Sequence, residues 1–283
     1  MPRQKPKVII IAGPTASGKT SLAIDIAKEK DGEVISADSR QTYTGLDLAT
    51  GKITPKEADG IPHHLIDIRH PNDALTLHDW RELALAIIKD ILARGKHPIV
   101  AGGTGFYLTA LMQNTTLPNV PANPELRNSL KQLPIGVLQQ KLKALDPERL
   151  AAIDKKNPVR LIRAIEVATA LGRVPPIERQ ESLYDFEVIA LLPDRGILRE
   201  SITKRLQTRL NAGMVEEIQH VHDDMGVSWE RLEELGLEMR YVALYLQGKL
   251  TYEDMVLQLD TAIWHYAKRQ YTWIKSKLRA ADA

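Results

Sequence analysis

The chain alternates short apolar runs with longer stretches in which apolar residues return every three or four positions. Residues 7–12 (KVIIIA), 33–37 (EVISA), 97–101 (HPIVA) and 186–192 (FEVIALL), with 64–68 (HLIDI) after Pro62, have the length of strands buried in a parallel sheet. Residues 21–30 put Leu22, Ala23 and Ile26 on one helical face, and residues 77–94 form a clear amphipathic helix stopped by Gly95. Strands and helices in alternation predict an α/β protein, a parallel sheet with helices on both faces.

From about Leu117 the pattern changes. LPNVPANPE has the proline and asparagine of a linker, and residues 122–185 carry only helical periodicity, with Asn157-Pro158 opening a helix that Gly172 ends. The expected organisation is a sheet-bearing core of residues 1–116 and 186–283, closing in long helices, with a small all-helical domain, 117–185, inserted into it. No internal repeat is present.

Between the first strand and the first helix lies GPTASGKT, residues 13–20, which fits the phosphate-loop template G-x-x-x-x-G-K-[ST] at every fixed position. Gly13 and Gly18 permit the tight turn that points backbone N–H groups inward, Lys19 reaches the outer phosphate, and the Thr20 hydroxyl can ligate Mg2+. A strand before it and a helix after it distinguish a phosphate site from a plain glycine turn. None of these groups reads adenine, so the loop specifies a diphosphate and leaves the rest of the ligand open. Ligands of parallel sheets bind at the carboxyl ends of the strands, so this loop, Asp38 and the Gly102-Gly103-Thr104-Gly105 turn are expected to converge.

Composition narrows the classes further. The 283 residues are 43% hydrophobic and 26% charged, enough for a substantial core, and the absence of cysteine excludes disulfides, thiolate metal sites and a cysteine nucleophile. The basic start MPRQKPK is followed by only about six apolar residues, which predicts neither a signal peptide nor a membrane span, and so a cytoplasmic protein. A net charge of +2 does not announce a nucleic-acid partner, but its distribution says more: residues 122–185 hold 11 Lys and Arg against 8 Asp and Glu.

Other stretches have two readings each. Asp38, opening DSRQTY after a strand, can be a general base, an aspartate that organises Mg2+, or a helix cap. Arg160, Arg163 and Glu166 follow one another at intervals of three, either as a surface ion pair of Arg163 with Glu166, contributing about 0.2–0.5 kcal/mol, or as guanidinium groups facing a phosphate backbone. WHYAKRQYTWIKSKLR, residues 264–279, holds five Lys or Arg, no acid and four aromatics. Spacings of seven between Trp264 and Tyr271 and between Tyr266 and Trp273 place much of the aromatic content in a core, leaving a basic face suited to single-stranded RNA. His63-His64 and the pair His220 and His222 lack ligand spacing and read as packing or solvated histidines.

Together the motifs GPTASGKT, DSRQTY, PHHLID (62–67), GGTGFY (102–107), NPVRLIRAIE (157–166) and AKRQYTW (267–273) occur in an order that resembles the tRNA dimethylallyltransferases, the isopentenyltransferases that modify the adenosine 3′ to the anticodon. The resemblance runs nearly end to end. It implies dimethylallyl diphosphate as the donor, Mg2+ as cofactor, the tRNA anticodon stem-loop as acceptor, a monomer, and a tRNA-binding role for the helical insertion. It implies that Asp38 is the general base for the adenine N6 amine, with Thr104 beside it. Gly13, Pro14, Thr15, Ala16, Ser17, Gly18, Lys19, Thr20 and Arg205 would hold the diphosphate, Thr20 with the metal; Arg209, one turn from Arg205, competes for that place. The implied tRNA contacts are Asp38, Ser39, Arg40, Gln41, Thr104, Arg127, Arg160, Ile162, Arg163, Ala164, Ile165, Glu166, Arg240, Trp264, Lys268, Arg269 and Gln270.

The chain departs from the commonest family pattern at TGKITPKE from Thr50, where many relatives have G-T-A-K-P-T, and at GLEMRY (236–241), where many have G-Y-[KR]-E. The short insertion and the lack of a Cys/His zinc finger imply a bacterial-type enzyme. Two other readings use the same loop: a small-molecule kinase, which would turn over ATP, and an RNA-binding protein that senses a nucleotide.

Overall fold

In a computed structural model that describes residues 5–114, 118–176 and 180–278, the apolar runs form one five-stranded sheet, all parallel, in the order β3-β2-β4-β1-β5. The strands are β1 (Lys7–Ala12), β2 (Gly32–Ala37), β3 (His63–His64), β4 (His97–Gly102) and β5 (Asp185–Ala190). Residues 1–4 of the basic start, Leu117, residues 177–179 of the helical segment and Arg279 lie outside the described residues.

The strand expected at 64–68 is reduced to the two residues of β3. Leu65 (φ 62°) and Asp67 (φ 55°) adopt left-handed backbone, which breaks the pleat and turns the chain away from β2. The last apolar run stops at Ala190 rather than Leu192. Glu33, on β2, is 3% exposed and receives hydrogen bonds from Arg94 and a 2.8 Å contact from His64 Nε2.

The first five helices are α1 (Lys19–Lys30), α2 (Asp47–Thr50), α3 (Pro55–Ala58), α4 (Leu77–Ala93) and α5 (Gly105–Met112). α1 begins two residues earlier than the periodicity suggested because Gly18, in left-handed backbone at φ 86°, serves as its N-cap. α4 opens on a capping box between Thr76 and Asp79 and buries Trp80, Ala84, Ile88 and Ile91, one stripe of its surface, against the sheet. The Trp80 ring stacks on Tyr107 of α5 at 4.2 Å, and its indole N–H donates to Ser36 O at 3.1 Å.

Residues 114–180 form a separate compact unit. Its helices are α6 (Pro124–Lys131), α7 (Ile135–Leu145), α8 (Pro147–Ala152) and α9 (Pro158–Leu171). Three of them share one opening signal: Asn123, Asp146 and Asn157 each accept a backbone N–H as N-cap, with proline next in sequence. Leu130, Leu138, Leu142, Leu161 and Ile165 fill its core.

The chain returns at β5 and ends in α10 (Arg195–Asn211), α11 (Met214–Asp223), α12 (Trp229–Leu235), α13 (Leu237–Leu246) and α14 (Tyr252–Lys277). These five helices bury a second apolar core of their own, which also takes in Tyr43, Leu46 and Ala49. His222 stacks on Trp229 at 3.6 Å and His220 is exposed beside Asp224, the packing and solvated histidines of the sequence reading. No helix among the described residues is long and apolar enough to cross a membrane.

The Arg94 hydrogen bonds hold the Glu33 carboxyl down at about 2, against an ordinary value of 4.5. A depressed carboxylate contributes stability that is complete above about 4.5 and is lost as pH falls toward 2. Glu33→Gln is expected to lower unfolding free energy at neutral pH by roughly 1–3 kcal/mol. It should also flatten the acid limb over that window, as read by denaturant titration at a series of pH values.

Candidate active site

Strand register builds the site. Ala12 of β1 pairs with Gly102 of β4, and Gly102 pairs with Ala37 of β2, so three adjacent strands end level. The residues that follow, Gly13, Gly103 and Asp38, therefore stand side by side at one edge of the sheet, the carboxyl edge where the sequence placed them.

In the loop, Ala16 (φ 61°) and Gly18 (φ 86°) turn left-handed on either side of Ser17, the alternation that gathers successive N–H groups into an anion-binding hollow. A Cβ at Gly13 would lie 2.5 Å from Ser17 Oγ and 3.0 Å from Leu191 O, so the turn requires glycine. Ser17 Oγ is buried without a hydrogen-bond partner, a hydroxyl left for a ligand. Lys19 Nζ folds back on Pro14 O at 2.6 Å. Burial brings its pKa from 10.5 down to about 8, against Asp38, which raises it, while Arg205 adds to the lowering. The exposed Thr20 hydroxyl sits in the first turn of α1.

Facing the loop, Asp38 Oδ1 accepts the Arg40 N–H at 2.9 Å, which fixes the carboxylate in an Asx turn. Thr104 Oγ1 accepts the Ser39 N–H at 3.2 Å and Thr104 N donates to Ala37 O at 3.2 Å, so hydroxyl and carboxylate are held by one set of main-chain bonds. A cavity of about 630 Å³ opens here, lined among others by Thr15, Asp38, Thr104, Arg209, Glu238 and Tyr266. Phe106, Arg240 and Arg269 line it too and are exposed.

Its far wall is the short helix α2, clamped at both ends. Glu217 accepts the N–H groups of Asp47, Leu48 and Ala49 at 2.9, 2.7 and 2.8 Å, and Arg209 donates to Leu48 O and Ala49 O at 3.1 Å each. A carboxylate at the amino end and a guanidinium at the carboxyl end complement the helix dipole. Arg209 also donates to Glu238 at 2.6 Å. Arg205 donates to Gly51 O at 2.9 Å, is acted on by Arg209, Glu238, Asp38 and Glu57, and its charge is felt in turn at Lys19. Lys52, left without a role by the sequence, is buried and bonds Tyr43 O at 2.7 Å, Asp47 at 2.7 Å and Asp67, tying this wall to the turn after β3.

The other sequence candidates fall into two groups. Arg40, Arg240, Lys268 and Arg269 stand around or beside the cavity, with Lys268 5.5 Å over Trp264 and Arg269 5.8 Å over Tyr266. Gln41 and Gln270 have their amides engaged inside the protein: Gln41 with Ser36 and Gly51, Gln270 with Thr15 N–H and Gly103 O.

In the helical unit, Ile162, Ala164 and Ile165 are buried core residues. Glu166 is 2% exposed and is no surface partner of Arg163 alone. Arg127 grips it with two bonds at 2.9 and 2.8 Å, Asn123 N–H donates at 2.7 Å, and Arg163 adds a further bond. Burial would raise this carboxyl, but the Arg127 and Asn123 hydrogen bonds hold it below its ordinary value. Arg160 is left fully outward on the same helix.

Sequence reasoning counted Tyr266 among the core aromatics of the last helix, whereas it lines the cavity. Its hydroxyl engages Thr104, and burial, followed by the nearby Asp38, pushes its pKa up to about 12. The available signal was its position four residues before Gln270, on the face of α14 that turns to the sheet edge.

A parallel α/β sheet whose first strand feeds a phosphate loop, with a carboxylate and a hydroxyl facing that loop and a basic, aromatic rim, defines a phosphate-loop protein built to bring a phosphorylated ligand to a second substrate. The family model described as IPP transferase matches residues 41–277, beyond the loop itself. The tRNA dimethylallyltransferase 1 of Syntrophus aciditrophicus is 42% identical over 276 residues, covering 95% of this chain and 89% of that one. The tRNA dimethylallyltransferase of Bacillus pumilus is 37% identical over 286 residues, covering 98% and 89%. Among solved structures, the full-length tRNA isopentenylpyrophosphate transferase of Bacillus halodurans superposes with a TM-score of 0.71 at 34% identity, covering 96% of this chain and 88% of that one. A eukaryotic dimethylallyltransferase acting on tRNA gives 0.78 at 26% identity, covering 95% and 70%. The chain belongs to the IPP transferase family, that of the tRNA dimethylallyltransferases.

An anion in the loop favours the charged form of Lys19, so its binding should take up protons around pH 8 and weaken as pH rises beyond it. Calorimetry with inorganic diphosphate in buffers of different ionisation enthalpy should show this uptake. Lys19→Met should abolish it together with most of the affinity.

Proposed function

We propose that the protein transfers the dimethylallyl group of dimethylallyl diphosphate to N6 of the adenosine 3′-adjacent to the anticodon, position 37, of tRNA, releasing diphosphate. The observation that carries this reading is the level ending of β1, β4 and β2, which sets a phosphate loop beside a carboxylate and a hydroxyl at one cavity in a chain of this family.

The loop N–H groups, the Ser17 hydroxyl, Lys19 and Arg205 bind the diphosphate and stabilise the charge that grows on it as the allylic C–O bond breaks. The N6 lone pair forms the new bond to that carbon, and Asp38 takes the N6 proton. Thr104, braced by Ser39 and Tyr266, orients the amine. Among the described residues no cluster of three or more His, Asp or Glu could hold a metal. An exposed threonine hydroxyl fits a Mg2+ whose remaining ligands are phosphate oxygens and water, and the ion would neutralise the departing diphosphate.

On the acceptor side, the adenine must leave its stack, at a cost of a few kcal/mol met by contacts elsewhere on the tRNA. Arg40, Arg240, Lys268 and Arg269 supply cations at the rim, and Trp264 an aromatic surface. In the helical unit Arg160 faces outward, with the partly exposed Arg127 and Arg163 behind it. The protein acts as a cytoplasmic monomer in this reading.

Incubation with dimethylallyl diphosphate and unmodified tRNA, followed by nucleoside mass spectrometry, should yield isopentenyladenosine; ATP turnover with no isopentenyladenosine formed would point to the kinase instead. Asp38→Asn should slow single-turnover transfer by about 10²- to 10⁴-fold with little change in either substrate's Kd. Rescue of that rate by added Mg2+ would assign Asp38 to the metal. The affinity for tRNA should fall steeply along a log-log salt plot, as release of counterions from several neutralised phosphates requires.

A further inference from the structure

We propose, resting on the transferase reading, that Gln270 is a positioning residue that locks the donor loop in register with the acceptor side of the site, and that it makes no contact with RNA. Gln270 is 7% exposed, and its primary amide bridges two loops: Oε1 accepts the Thr15 N–H at 2.9 Å, and Nε2 donates to Gly103 O at 2.9 Å. The partners fix its orientation, since a main-chain N–H only donates and a carbonyl only accepts. A flipped amide would lose both bonds.

Space for the bridge is built into the neighbouring loop. A Cβ at Gly103 would lie 2.3 Å from Gln270 Nε2 and 2.8 Å from Gly13 O. Gly103 lies outside left-handed backbone, so glycine is needed at this position for room rather than for conformation. The adjacent main-chain bond between the loops, Gly13 N–H to Gly102 O, is longer, at 3.4 Å. The glutamine is delivered by the long helix α14, whose buried stripe includes Ile263, Ala267, Gln270 and Ile274. Beside them the Trp273 ring packs where a Cβ of Gly105 would stand, at 2.6 Å.

The bridge continues into the chemistry. Gly103 precedes Thr104, whose Oγ1 accepts the Ser39 N–H and whose own N–H holds Ala37 O, the residues on either side of Asp38. A path of hydrogen bonds joined by peptide links at Gly103-Thr104 and on either side of Asp38 thus runs from the loop that binds the leaving group to the carboxylate that takes the proton. Transfer needs the allylic carbon and N6 within about 3–3.5 Å, and a misplacement of about 1 Å can cost roughly 10²-fold. Each substrate can still bind when the two half-sites slip, so the bridge should act on the rate of reaction between bound substrates.

Gln270→Met keeps the length and apolar packing of the side chain and removes both bonds. Gly103→Ala breaks the same bridge from its other end, since the added Cβ displaces the unaltered Gln270 amide and also presses on Gly13 O. Each variant should slow single-turnover transfer at saturating substrates by roughly tenfold to a hundredfold. The tRNA Kd should stay within about twofold, a margin well below the tenfold that 1.4 kcal/mol represents. The double variant should be no slower than the worse single one, because both remove one shared interaction. Deuterium exchange at the Thr15 amide should be protected in the unmodified protein and faster in both variants, whatever the activity.

A weaker tRNA Kd with an unchanged saturating rate would make Gln270 an RNA contact and overturn the proposal. So would additive rate losses, or an unprotected Thr15 amide in the unmodified chain. An unmodified protein that binds tRNA and donor yet forms no isopentenyladenosine would instead overturn the transferase reading. Should Gln270→Met fail to fold, Gly103→Ala carries the same measurements.

Discussion

The site depends on the pairing of β4 with its two neighbours at Gly102. A Cβ there would lie 2.2 Å from Ala37 O, so only glycine lets β2 and β4 approach at their carboxyl ends. Because the strands stay paired to that last residue, Ala12, Gly102 and Ala37 end at one level, and the loop, Thr104 and Asp38 inherit their relative positions from main-chain hydrogen bonds. Side-chain chemistry of this kind is placed to a few tenths of an ångström by the sheet rather than by the loops' own preferences.

Around that edge the C-terminal helices do a second job. Glu217 and Arg209, from α11 and α10, close the two ends of the four-residue α2, which is far too short to be stable by itself. Lys52 then bonds Asp47, Tyr43 O and Asp67, so the far wall of the cavity is tied to α10, α11 and the turn after β3 together. Arg209 is held in this clamp, while Arg205, one turn earlier, donates to Gly51 O and interacts electrostatically with Lys19 and Asp38. A difference of four positions on one helix thus separates an arginine that clamps α2 and Glu238 from one whose charge reaches Lys19.

Much of this was legible in the residues. Parallel strands buried on both faces announce themselves as unbroken apolar runs, and Asn-Pro before an apolar period marks a helix start at Asn157, whereas Asn123-Pro124, read as linker, opens α6 in the same way. β3 was overestimated because HLIDI has a strand's composition while Leu65 and Asp67 take left-handed backbone, which composition does not encode. α2 escaped notice since its stability comes from Glu217 and Arg209, some 160 residues away in sequence. Glu166 looked like half of a surface pair because the spacing to Arg163 is local, whereas the partners that bury it, Arg127 and Asn123, come from another helix start. Motif membership placed Gln270 near the site without saying which way its amide points; only the fold sets it between Thr15 and Gly103.

The same long-range placement explains the charges. The Lys19 ammonium turns to Pro14 O, since burial penalises the charge and the carbonyl is an acceptor within reach. Asp38 favours the ammonium and Arg205 opposes it, while Arg205 itself stands among Arg209, Glu238, Asp38 and Glu57, so cations and carboxylates interleave in a desolvated corner. A diphosphate entering that corner replaces an internal hydrogen bond with stronger, charge-assisted ones and relieves the repulsion between Lys19 and Arg205. The arrangement favours an anion over a neutral prenyl alcohol at the moment of binding. In the proposed transfer it would keep that preference as the allylic bond breaks, because negative charge would grow on the leaving group beside Lys19 and Arg205.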